Sequence, residues 1–178
     1  MMSKDFKVLI HEKEIGKRVH ELGAQISEHY KKKGAECLYI IGVLKGSFIF
    51  LSDLVRSLSI PCEIDFLEAS SYGASTVSSG EVKLVRDIRF SIKDRDVLIV
   101  EDILDTGHTM EYLLKHLSAQ KPKSLSICSF LDKPSRRKTA VKADFLGFTI
   151  DDHFVIGYGL DFNNRYREVR SVVIYEPN

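Results

Sequence analysis

Glu101, Asp102 and Asp105 stand close together in the stretch VLIVEDILDTGHT, residues 97–109, followed directly by Thr106, Gly107, His108 and Thr109. Three acids and three small or hydroxyl residues there lie between an apolar run and a helical pattern at Met110, Leu113, Leu114 and Leu117. The first turn of a helix carries unpaired backbone N–H groups and the positive end of the dipole. Thr106, Gly107, His108 and Thr109 can therefore wrap a phosphate, with two threonine hydroxyls as added donors and a glycine that admits close approach. The plainer alternative is that Thr109 caps the helix, and the turn alone leaves both open. Neighbouring strand residues face opposite ways, so Glu101 and Asp102 cannot both enter one core, and unpaired acids are rarely buried. Two carboxylates repel a bare phosphate, but they bind ribose hydroxyls or a Mg²⁺ carried with it. A sugar phosphate suits this set better than a nucleoside triphosphate. There is no G-x-x-x-x-G-K-[ST] and no G-x-G-x-x-G after a strand, which excludes a P-loop and argues against a nicotinamide site.

The elements that must hold these residues follow from periodicity. Ile15, Val19, Leu22, Ile26 and Tyr30 have helical spacing, with Gly34 as a stop. Cys37–Val43 is a continuous apolar run, as a strand covered on both faces should be. Phe48–Leu58 reads as a helix and Glu63–Glu68 as a strand. Ser70–Gly80 is small and polar and reads as a mobile loop. Glu81–Phe90, Val97–Val100, Leu125–Leu131, Asp144–Ile150 and Val172–Tyr175 read as strands. Alternating strands and helices predict an α/β protein with a mostly parallel sheet flanked by helices. In such sheets ligands bind beyond the carboxyl ends of the strands. Two strands end in unusual chemistry there: Val43 leads into LKGS and Val100 into EDILDTGHT.

The 178 residues, 44% hydrophobic and 29% charged, suit a single domain over 1–178 with a sizeable core. Net charge is +1, so no global basic field points to nucleic acid. The basic runs Lys31–Lys33 and Arg136–Lys138 read as solvated surface. Cys37, Cys62 and Cys128 are odd in number and far apart, which suits buried free thiols in a reducing compartment. The N-terminus lacks the apolar core of a signal peptide, and no run approaches the roughly 20 apolar residues of a membrane span. A soluble cytoplasmic protein with no membrane or nucleic-acid partner is expected.

VLIVEDILDTGHT resembles the phosphoribosyl-pyrophosphate signature of the type I phosphoribosyltransferases, a strand, two acids and D-[ST]-G-x-T. His108 takes the variable place. GVLKGS (Gly42–Ser47), ASSYG (Ala69–Gly73), FLDKPSRR and DHFVIGYGLDFNNRYR resemble segments of the 6-oxopurine branch, in order and over nearly the whole chain. The resemblance implies the family fold, with a small hood subdomain and a mobile active-site loop bearing Ser71 and Tyr72. It implies that Lys45, Gly46 and Arg167 touch pyrophosphate, with a cis peptide between Leu44 and Lys45. The 5′-phosphate would rest on Asp105–Thr109, and Glu101 and Asp102 would align the ribose and Mg²⁺. Asp161 would help hold a second Mg²⁺. Lys133 would donate to the purine O6, Phe154 would stack on the base, and Val155 would offer backbone groups to its edge. Asp105 is the candidate general base, at purine N7 or an adjacent proton. The implied reaction joins N9 of hypoxanthine or guanine to the ribose of phosphoribosyl pyrophosphate. Ile156 and Phe162 leave the choice between those bases open. The family also implies a homodimer or homotetramer. Two rivals share the signature: a pyrimidine-linked regulator that binds RNA, and a non-catalytic transcription regulator. The near-neutral charge and the Lys133/Phe154 pair argue against the first, and the absence of room for a DNA-binding domain against the second.

Overall fold

Period-2 alternation sorts two apolar layers onto the faces of one sheet. A computed structural model describes residues 6–71 and 82–176. The elements that matter first are β1 (Lys7–Ile10), α1 (Glu12–Lys32), β2 (Leu38–Leu44), α2 (Phe48–Ser57), β3 (Cys62–Ser71) and β4 (Val82–Arg86). They are followed by β5 (Asp96–Leu104), α3 (His108–Ser118), β6 (Ser124–Asp132), a 3₁₀ turn (Pro134–Arg136), β7 (Phe145–Thr149), β8 (Val155–Ile156) and β9 (Val172–Ile174). Six strands form the main sheet in the order β4-β3-β2-β5-β6-β7, parallel except for β4, which runs antiparallel to β3. Leu38, Ile40, Leu98 and Val100 face α1 and α2 in one core, whereas Tyr39, Ile41, Val97 and Ile99 face α3 in another. Helices therefore cover both faces, as the continuous apolar runs require.

Helix α1 buries the expected stripe, Ile15, Val19, Leu22, Ile26 and Tyr30. His11 caps its start by accepting from the Lys13 N–H, and Glu14 closes a capping box. Gly34, at φ 71°, turns the chain out of it. Two short elements escaped the reading of the sequence, β1 and β8, which with β9 make a separate antiparallel sheet, order β1-β9-β8. Of these only Val172–Tyr175 was expected as a strand. Strands of two to four residues carry too few side chains for a period to show.

Three expectations need correcting. The strand read as Val97–Val100 runs on to Leu104, so Glu101 and Asp102 lie inside it. The reason is β6, which stays paired to β5 out to Leu104↔Asp132, while β2 leaves at Gly42↔Val100. Strand β3 extends to Ser71, into the segment read as the start of a loop. The rest of that segment, including Tyr72, lies outside the described residues. Of the three cysteines, all free, only Cys128 is fully buried; Cys37, just before β2, and Cys62, the first residue of β3, are half-buried. Among the described residues, no helix is long and apolar enough to cross a membrane.

Candidate active site

The carboxyl ends of β2 and β5, with Ala69 of β3 and the first turn of α3, border one cleft of about 230 Å³, reached by Gly46, Glu101, Asp102, Asp105, Thr106 and Thr109. Chain order explains the meeting. Parallel strands bring their carboxyl ends to one side, so the LKGS and EDILDTGHT turns emerge together.

At the floor, β5 passes into α3 through Asp105, Thr106 and Gly107. Gly107 is the N-cap residue, at φ 89°, and no side chain caps the helix. Thr109 is thus a residue of the first turn rather than its cap, and the turn's leading N–H groups stay available to an anion. Gly107 is required twice over: its φ favours glycine, and a Cβ there runs into Thr139 and the Arg137 side chain.

Above this turn lie the two acids. Glu101 is 7% exposed, and its Oε1 accepts the Asp102 N–H at 3.1 Å. Burial pushes the Glu101 carboxyl well above the usual carboxylate range, and the Asp102 charge beside it adds to the rise. Burial raises Asp102 as well, while hydrogen bonds from Glu101 and the backbone and the charge of Arg167 pull the other way. A buried and a half-buried carboxylate held side by side favour a shared proton or an added cation. Among the described residues no group of three or more His, Cys, Asp and Glu side chains converges on a metal position. A pair of carboxylates therefore fits Mg²⁺ that arrives with substrate oxygens, the ion's usual manner, and does not fit an all-protein cage.

The second wall is the turn after β2. The Leu44–Lys45 peptide is cis, as the resemblance implies. Lys45 is exposed, and Gly46 presses on the Asp102 carboxyl so closely that a side chain there meets it. From the other side Gly159, at φ 100°, packs on the Gly46 carbonyl. Arg167 holds that loop: it donates to the Gly159 carbonyl at 2.7 Å and pairs with Asp161 at 2.8 Å. Asp161 in turn accepts the Asn164 N–H at 2.7 Å. Lys45, Gly46, Asp161 and Arg167 thus belong to one neighbourhood built from two distant segments. Both oxygens of Asp161 are engaged within its own loop.

A further group of side chains follows β6 and is tied to the cleft through Leu104 and Asp105. Lys133 is only 6% exposed, and its backbone N–H donates to the Leu104 carbonyl at 3.0 Å. Its ammonium faces Asp152 at 3.7 Å. Phe154 is 52% exposed, edge-on to Phe162 and Tyr175 with centroids 5.8 and 5.9 Å away. An exposed ring held upright by two others is ready to receive a flat partner. The Phe154 carbonyl accepts the Tyr175 N–H at 2.8 Å. Antiparallel alternation then turns the Val155 N–H and C=O away from β9, to the free edge of β8.

Sequence reasoning missed Arg136, Arg137 and Asp152. The run Arg136–Lys138 was read as solvated surface, and for Arg137 that is wrong. Its side chain is 13% exposed, pairs with Asp132, and donates to the carbonyls of Leu104, Asp105 and Val141. It ties the end of β6 to the turn after β5. Arg136 pairs with Asp105 at 2.6 Å and with Asp152 at 3.3 Å. The available signal was the place of both arginines just past a strand's carboxyl end.

A family model for the phosphoribosyl transferase domain matches residues 9–163. The chain is 48% identical to the hypoxanthine-guanine phosphoribosyltransferase of Bacillus subtilis, covering 99% of this chain and 97% of that one. It is 47% identical to the hypoxanthine phosphoribosyltransferase of Salmonella typhimurium, covering 96% of each. Among solved structures, a hypoxanthine-guanine phosphoribosyltransferase from Bacillus anthracis superposes with a TM-score of 0.90 at 41% identity, over 97% of this chain and 100% of that one.

Proposed function

The chain belongs to the phosphoribosyl transferase family, and we propose from that premise that it transfers the 5-phosphoribosyl group of phosphoribosyl pyrophosphate to N9 of hypoxanthine, guanine or both. The products are a purine nucleoside 5′-monophosphate and pyrophosphate. The observation that carries the choice of base is the buried Lys133 ammonium, hydrogen-bonded through its backbone to the strand that bears the phosphate turn. A desolvated ammonium demands an acceptor, and O6 of a 6-oxopurine supplies one.

In this reading the 5′-phosphate sits on the uncapped turn Asp105–Thr109, and the acid pair Glu101 and Asp102 receives the ribose hydroxyls. N9 forms a bond to C1′ as the bond from C1′ to pyrophosphate breaks, the electron pair leaving with the pyrophosphate. Positive charge gathers on the ribose, so positioning and charge stabilisation supply most of the acceleration. Asp105 takes the purine proton, at N7 or next to it. Lys45, Gly46 and Arg167 hold the leaving pyrophosphate, Phe154 stacks on the base and Val155 hydrogen-bonds its edge. Glu101 and Asp102, together with substrate oxygens, would hold Mg²⁺, and Asp161 would help hold a second ion; such ions would supply positive charge to offset that of the pyrophosphate. Ser71 and Tyr72 would serve closure over the site. The family also leads us to propose a homodimer or homotetramer in the cytoplasm.

The test is pyrophosphate release from phosphoribosyl pyrophosphate and Mg²⁺, with hypoxanthine, guanine, xanthine, adenine and uracil supplied one at a time. Turnover with hypoxanthine or guanine and none with adenine or uracil is expected. Turnover with uracil alone means that the base site is misread. No turnover with any base overturns the enzymatic reading.

A further inference from the structure

Four charged side chains alternate in sign across the mouth of the site: Asp105, Arg136, Asp152 and Lys133. Arg136 Nε lies 2.6 Å from Asp105 Oδ1, Arg136 Nη1 lies 3.3 Å from Asp152 Oδ2, and Asp152 Oδ1 lies 3.7 Å from Lys133 Nζ. The first comes from the turn after β5, the next from the 3₁₀ turn after β6, the third from the loop before β8 and the last from the end of β6. Three separate segments are thus joined end to end by ion pairs.

Their exposures differ in a way that speaks to purpose. The side chains of Asp105, Arg136 and Asp152 are 42–51% exposed, and ion pairs in that setting add little to stability. The Lys133 side chain is 8% exposed, and a desolvated ammonium depends strongly on the carboxylate that faces it. The value of the chain therefore lies in where it holds its ends. Arg136 uses different nitrogens for its two carboxylates, a span that the planar guanidinium provides and an ammonium does not. It meets Asp105 at Oδ1, so Oδ2 lies outside that pair.

We propose that Arg136 and Asp152 are positioning residues that couple the two ends of the base site. Arg136 orients the Asp105 carboxylate, and Asp152, steadied by Arg136, aims the Lys133 ammonium. Together they set the distance between a proton acceptor and a cationic donor to match a flat heterocycle that presents an N–H and an oxo group side by side on one edge. The inference rests on the 6-oxopurine reading given above and adds two residues to it.

The experiment is a double-mutant cycle on the full chain: Arg136→Gln, Asp152→Asn and the pair. Each is assayed for kcat and for KM toward hypoxanthine and phosphoribosyl pyrophosphate, and melting temperature is measured alongside. Each single variant is expected to lower kcat/KM for hypoxanthine about tenfold, the scale of a small misplacement. KM for phosphoribosyl pyrophosphate should stay within about twofold, and melting within about 2 °C, because the pairs are exposed. The double variant should fall no further than about threefold below either single one, because residues in one chain of contacts are not additive. Losses that multiply, to about a hundredfold, overturn the coupling. So do single variants that match the parent, and so does an equal rise in KM for phosphoribosyl pyrophosphate, which marks a general disturbance of the turn. A parent protein inactive on every 6-oxopurine overturns the functional reading itself and the inference with it; an active parent with unaffected variants overturns the inference alone.

Discussion

The two ends of the proposed site, one for the phosphate and one for the base, are built in opposite ways. The phosphate end is one continuous stretch, Glu101–Thr109, in which a strand, a left-handed glycine and a helix start follow each other directly. The base end is gathered from Lys133, Asp152, Phe154 and Val155, and depends on Arg136 and Arg137 to bind the pieces together. Their electrostatics differ as well. At the phosphate end like charges crowd in burial and await a cation; at the base end opposite charges alternate and are already matched. Affinity for a charged sugar phosphate can thus be written locally, whereas discrimination among flat bases needs a frame of several segments.

Four experiments can break or sharpen this contrast. The largest effect is expected at the base end. Parent enzyme should prefer hypoxanthine over adenine by about 10⁴ in kcat/KM, and Lys133→Met should erase most of that ratio. A ratio that survives the substitution removes Lys133 from base selection. Next comes Asp105→Asn, which should lower kcat by about 10³ with both KM values within a few-fold, as loss of a general base does. Steady-state turnover near the parent value excludes Asp105 from that role. Phe154→Ala should raise KM for hypoxanthine by about tenfold, within the roughly 1–3 kcal/mol of base stacking, and leave KM for phosphoribosyl pyrophosphate alone. A rise in both would mean that the two ends are not separable.

The smallest effect concerns stability and pH. Burial and Asp102 raise the Glu101 carboxyl well above its unfolded value. Folding therefore favours the protonated form. The stability tied to it is complete below the ordinary carboxylate range and is lost as pH rises through the elevated value. At pH 8 without ligand, Glu101→Gln should melt about 2–4 °C higher than the parent, the shift produced by about 1 kcal/mol in a chain of this length. The difference should vanish near pH 4. Calorimetry that finds the variant less stable at pH 8 would show that the charged pair is not a strain on the empty site.

The same contrast governs how much of the site is legible in the sequence. Residues 97–109 carry their own explanation, because strand, acids and turn are neighbours in sequence, and only the extension of β5 to Leu104 was missed. That extension depends on β6 lying alongside. Lys133, Phe154 and Val155 were proposed through the family's order of segments, whereas Asp152 and both arginines were not, since their partners lie 4 to 33 residues away in the chain. The basic run that contains the arginines looks like any solvated surface until β5 and β6 set its neighbours.

By itself the sequence determined the helix and strand periods, the parallel α/β class and the turn proposed for the phosphate, because each depends on residues a few positions apart. Tertiary structure alone decided which acids share a cleft, which way the Val155 backbone faces, that Gly46 must admit both Asp102 and Gly159, and that Arg136 spans two carboxylates. Those are facts of packing between segments, and no local spacing encodes a distance across a sheet.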